Sequence, residues 1–160
     1  MARLCSALFA AVFIVFGFAQ GALTQHSHGS GGMGGASMKM DVREVVVDGV
    51  KVTFQIMAND EHKKMLKDMK MKEDVEPGTT HNITVLLKDE KTKKDITDAT
   101  ISMKVVDPKG KDQLKPLKYE AEMKSYDGYF DLKEKGKYQV MILFKAGDKK
   151  STAGIYYEMK

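Results

Sequence analysis

From residue 50 onward the chain alternates apolar and polar positions in short runs. These are Val50, Val52, Phe54 and Ile56; Ile83, Val85 and Leu87; Ile101, Met103 and Val105; Tyr119, Ala121 and Met123; Tyr138, Val140, Ile142 and Phe144; and Ala153, Ile155 and Tyr157. A period of two places successive side chains on opposite faces of an extended segment, so each run predicts a strand with one buried face. Residues that reverse the chain stand between the runs: Asp48-Gly49, Pro77-Gly78, Asp107-Pro108 with Gly110, Asp127-Gly128 and Gly147-Asp148. Seven or eight short strands at this spacing predict an all-β sandwich of two sheets.

One segment breaks the alternation. Residues 59–72 open on Asn59-Asp60-Glu61, as a helix start would, and place His62, Met65, Leu66 and Met69 at helical spacing. They predict a short helical insert packed at one end of the sandwich. Further on, Gly136 precedes Tyr138 at the head of a hydrophobic strand. That arrangement fits either the tyrosine corner of an immunoglobulin-like β-sandwich or an ordinary core tyrosine. The lack of tryptophan, and of any cysteine beyond Cys5, excludes the antibody subtype.

The chain begins with Arg3 and an apolar run from Leu4 to Phe18. The run is shorter than the ~20 residues a spanning helix needs, and small residues follow at Gly17 and Ala19. Residues 1–19 therefore read as a secretory signal peptide, cut after Ala19 or, alternatively, after Gly21. Membrane attachment is expected only if the signal stays uncleaved. Residues 20–39 are Gly, Ser, His and Met with little to pack, and read as a flexible tether to a domain over residues 40–160. The expected location is periplasmic or otherwise extracytoplasmic.

Export sharpens the chemistry, because the single cysteine, Cys5, lies inside the signal. The exported chain then has no disulfide, thiolate ligand or cysteine nucleophile, and packing alone must stabilise it. The formal charge of +4 comes almost entirely from lysines interleaved with acids, and Arg43 is the only arginine after the signal. That pattern is a solvated surface and excludes a nucleic-acid reader, which would array arginines and aromatics on one face. No Gly-x-Ser-x-Gly elbow, Gly-rich phosphate loop or His-Glu-x-x-His helix occurs, so no enzyme is expected. Asn82-Ile83-Thr84 matches a glycosylation sequon, a common three-residue coincidence.

Methionine is the outlying residue, with twelve in the chain, and it clusters beside all four histidines. Thioether and imidazole together form a soft donor set without thiolate, suited to Cu(I) and, with more imidazole, to Cu(II). Residues 62, 65 and 69 share a helix face, and His81 has the parity of the buried face at a strand end. Met71 joins them only if the helix has ended. The candidate metal ligands are therefore His62, Met65, Met69, Met71 and His81, with a secondary set of His26, His28, Met38 and Met40 in and beside the tether. Packing competes with ligation for Met65 and Met69, since methionine fills gaps well where a helix covers a sheet. His62, beside Lys63 and Lys64, reads equally as a solvated side chain, and His81 as a hydrogen-bonding residue of a strand edge. Met103, Met123 and Met141 fall within strand patterns and read as structural.

A resemblance rests on His81-Asn82-Ile83-Thr84-Val85-Leu86-Leu87, Asp98-Ala99-Thr100-Ile101, Val106-Asp107-Pro108-Lys109-Gly110 and the stretch from Asp131 to Gly136-Lys137-Tyr138. Over roughly the last eighty residues the chain resembles the YtkA-like and FixH-like family of small extracytoplasmic domains. The resemblance implies an immunoglobulin-like sandwich and, through the wider CopC-like group, copper handling or oxidase assembly. A copper-handling relative is expected to offer a further His or Met near the bend from Met123 to Tyr129, where this chain has Lys124, Ser125, Tyr126 and Asp127. The reading is a copper carrier or buffer, and the alternative is a metal-free module that meets a periplasmic or membrane protein.

Overall fold

The structure, a computed structural model, describes residues 39–160. The expected signal and tether, with His26, His28 and Met38, lie outside the described residues. The elements run β1 Met40–Val47, β2 Val50–Ala58, α1 Asn59–Asp68, β3 His81–Asp89, β4 Thr100–Val106, β5 Asp112–Pro116, β6 Lys118–Glu120, β7 Ser125–Phe130, β8 Gly136–Ala146 and β9 Lys149–Met159. The strands form two antiparallel sheets, ordered β1-β2-β3-β7-β6 and β5-β4-β8-β9. Set β1 aside, and both orders are those of an immunoglobulin-like Greek key, with β2-β3-β7-β6 as one layer and β4-β8-β9, extended by β5, as the other.

Alternation explains which faces meet. Val52, Phe54, Ile56, Ile83, Val85 and Leu87 of the first sheet are buried against Ile101, Met103, Val105, Val140, Ile142 and Phe144 of the second. Asp48 and Gly49 both take positive φ, 51° and 79°, as a two-residue hairpin turn between β1 and β2 requires. The tyrosine alternative resolves toward the corner. Tyr138 is buried at the head of β8, and its hydroxyl accepts the Glu134 N–H at 2.8 Å, four residues upstream. Gly136 holds φ at 120°, and a Cβ there would lie 3.1 Å from Pro108, so glycine is required on both counts.

Two expectations are corrected. The run Tyr119, Ala121, Met123 is not one strand: β6 ends at Glu120, and residues 121–124 form a turn closed by Lys124 at φ 50°. Asp127-Gly128 is not a turn but the middle of β7, paired with Thr84 and Ile83 of β3. Both residues have a physical reason to be there. The Asp127 carboxylate accepts the Asn82 amide at 3.1 Å, and Gly128 leaves room for Leu117, whose Cδ2 would stand 2.8 Å from an added Cβ.

The insert is helical, but α1 stops at Asp68, four residues before the predicted end. Met69 caps it and Lys70 follows at φ 56°, which turns the chain out of the helix. Asp60 and Glu61 sit in the first turn, where negative charge favours the helix N-terminus. Asn59 does not cap the helix with its side chain. It donates instead to the Thr79 hydroxyl at 2.9 Å, while its backbone N–H bonds Thr80 O at 2.9 Å, tying α1 to the entry of β3.

Candidate metal centre

On β7, Tyr126 and Phe130 point into the core, so Asp127 and Tyr129 point outward from the first sheet. Helix α1 covers part of that outer face, burying His62 and Leu66 one helical turn apart. His62 is 1% exposed, and its Nδ1 lies 3.1 Å from the Tyr129 hydroxyl. Its other ring nitrogen, Nε2, is buried without a protein partner. A buried polar atom of that kind costs ~1–3 kcal/mol unless something binds it.

The surroundings disfavour the charged form of both groups. Burial lowers the His62 pKa. Burial raises the Tyr129 hydroxyl to about 12, with the Asp127 carboxylate adding to the effect. Beneath the pair runs a polar row in which Thr84 Oγ1 donates to Asn82 Oδ1 at 2.8 Å and Asn82 Nδ2 donates to Asp127 Oδ2. Burial is also the main cause that raises Asp127, against the Asn82 hydrogen bond. Asn82 of the sequon is fully buried in this row.

His62 opens onto a groove of about 530 Å³, lined also by Met71, Glu120, Met123, Asp127 and Tyr129. Residues 69–77 cross beside it without regular structure. Lys115 fastens this strap, reaching both Glu76 carboxylate oxygens at 2.7 and 2.8 Å and the Tyr129 carbonyl at 2.8 Å.

The five candidate ligands of the folded domain do not meet in one cluster. His62 and Met71 line the groove; Met71 does so because the helix has ended, its N–H bonding Leu66 O at 2.8 Å. Met65 is half-buried and Met69 is 48% exposed, and neither lines the groove. His81 opens β3 opposite Ala58 and Phe130, on the core-facing side. Its ring stands 6.4 Å from that of Tyr157 in the other sheet, and its Nδ1 lies 2.9 Å from Thr80 Oγ1. The two histidines thus lie on opposite faces of the first sheet. Met40, of the secondary set, starts β1 at the surface. Met123, whose spacing imitates a strand, is instead presented half-buried to the groove by the turn. Among the described residues no three His, Cys, Asp or Glu side chains converge to hold a metal ion.

Both histidines make stability depend on pH. Burial is the leading cause that lowers each, with Asp131 partly opposing it at His81. The unfolded chain then binds more protons between the folded pKa values and the ordinary 6.5. Metal-free protein is expected to hold its full stability above that value and to lose it progressively as pH falls below. Urea midpoints across pH 4.5–8 check this, and a midpoint that rises on acidification would contradict it.

No family model and no curated protein matches the chain. Its fold is similar to that of FetP from uropathogenic E. coli strain F11, with a TM-score of 0.57 and 12% identity over 76% of this chain and 97% of that one. A copper-bound variant of FetP matches with a TM-score of 0.56 and 13% identity, over 72% and 93%. A DUF4426 family protein from Pseudomonas aeruginosa PAO1 matches with a TM-score of 0.54 and 14% identity, over 74% and 94%. At these identities the likeness shows the fold, a β-sandwich shared across most of each chain.

Proposed function

We propose that the chain is an extracytoplasmic copper carrier or buffer that holds the metal as cargo through Met and His side chains. The observation that carries the reading is the His62 Nε2, buried without a partner beside a groove that Met71 also lines. Imidazole and thioether together favour copper over harder divalent ions. Neither donor forms disulfides, which suits an oxidising compartment and a chain whose one cysteine sits in the expected signal. No described helix is long and apolar enough to cross a membrane. The resemblance to YtkA-like and FixH-like domains and the copper-bound variant among the similar folds point the same way.

The test is Cu(I) titration against a competing chelator, on the full protein and on one lacking residues 20–39. Saturable binding that survives the deletion is the expected result. Binding lost with the deletion alone would transfer the metal to His26, His28 and Met38 of the secondary set. Absence of saturable binding in both proteins would end the copper reading.

A second reading has its own observation. Leu114, Leu143 and Tyr156 stand more than half exposed on the second sheet, side chains that a protein partner could cover. A metal-free interaction module would recover one periplasmic or membrane protein in a pull-down whether or not chelator is present.

A further inference from the structure

We infer that Met123 is a ligand of this same site, making it a centre of one imidazole and two thioethers drawn from three separate segments; the inference rests on the copper reading above. His62 comes from α1, Met71 from the strap over residues 69–77, and Met123 from the turn over residues 121–124. All three line one groove, and His62 is the buried, unpartnered group within it.

The two methionines lack the role that usually explains a methionine. Met103 is wholly buried in the core, whereas neither Met71 nor Met123 belongs to that core or packs against it. Packing of the central core therefore does not account for them. Both residues are half-buried and line the groove that His62 also lines. Carboxylates of Glu120, Glu122 and Asp127 also line the groove, as do Lys72, Lys115 and Lys118. One imidazole with two thioethers is a soft donor set, which suits Cu(I) and its analogue Ag(I) better than zinc or manganese.

Tyr129 completes the arrangement as a positioning residue. In the tautomer whose Nδ1–H donates to the Tyr129 oxygen, the lone pair of His62 lies on Nε2, the atom without a partner. The sheet thereby fixes the ring before any metal arrives.

The experiment uses the full protein with ¹³C-labelled methionine methyl groups and ¹⁵N-labelled histidine, titrated with Ag(I), a redox-inert probe. Single Met→Leu variants assign the methyl resonances. Met71 and Met123 are expected to shift saturably and together with the His62 ring nitrogens, while Met65, Met69 and Met103 stay in place. Met123→Leu, which conserves volume, is expected to weaken Ag(I) and Cu(I) binding by ~10-fold or more, the scale set by perturbing a metal's ligand sphere, with an unchanged melting temperature. A stationary Met123 methyl beside shifting His62 and Met71 resonances would overturn the ligand set while leaving the copper reading intact. Stationary methionine and histidine resonances throughout the chain would overturn the copper reading itself, and shifts confined to His26, His28 and Met38 would overturn the groove site while moving the metal to the secondary set.

Discussion

His62→Leu is expected to lower Cu(I) affinity by at least ~100-fold, because even the outer partners of metal ligands are each worth 10–100-fold. Leucine has a similar volume and keeps the contact of α1 with the sheet, so the substitution removes the donor without opening a cavity. Its two side effects on stability oppose each other. The buried Nε2 disappears, which is favourable, and the Tyr129 hydroxyl loses its partner, which costs ~1–3 kcal/mol. The fold is therefore expected to persist, as far-UV circular dichroism and a melting curve would show. His81→Leu supplies the contrast, since His81 faces the core side and lies apart from the groove. Its Cu(I) affinity should stay within about twofold of the original, a difference too small to reflect a lost ligand. Equal losses in the two variants would mean that copper bridges both faces of the sheet, against the separation described above.

Phe130→Ala is expected to destabilise the domain by ~3–5 kcal/mol. Phe130 is fully buried at the end of β7, where it pairs with His81 and its carbonyl accepts the Thr80 N–H at 3.0 Å. Lys115 stands 5.5 Å above its ring while fastening the strap, so one side chain supports the core and the groove wall together. Domains of this size have ~5–15 kcal/mol in total, and no disulfide limits the unfolded chain here. The variant should unfold roughly 10 °C or more below the parent. Urea unfolding followed by tyrosine fluorescence measures it, and a loss below about 1 kcal/mol would show that the sheets close over the gap.

Most of the sandwich was legible because its strands alternate. β2, β4, β8 and β9 each bury one face, and β3, buried on both faces at its start, still keeps its apolar residues at alternate positions, so a period of two shows in sequence. The strands that escaped did so for identifiable reasons. β1 is half-buried on both faces and ends in Val45-Val46-Val47, and β5 has one aliphatic residue, Leu114, which is exposed at the sheet edge. β7 is buried on both faces, by the core on one side and α1 with the strap on the other, and its Asp127-Gly128 pair has the chemistry of a turn. The candidate site depended on the strand that was missed. His62 could be placed on a helix and His81 at a strand end, but nothing local revealed that β7 sets Tyr129 beneath His62. Met71 was conditional on where the helix stopped, which Lys70 decides at φ 56°. Met123 was hidden by its spacing from Tyr119 and Ala121, a period of two continued past the real end of β6.

The depth of Asn82 bears on how the protein can be made. In a eukaryotic secretory host, Asn82-Ile83-Thr84 would be offered to the glycosylation machinery on the nascent chain, before β3 has a neighbour. A glycan there would occupy the space of the Asp127 carboxylate and of α1, and β3 could no longer lie between β2 and β7. Such a host would yield either bare, folded chains or sugar-bearing chains unable to assemble the central sheet. Production through a bacterial export route, which leaves the sequon bare, avoids that partition.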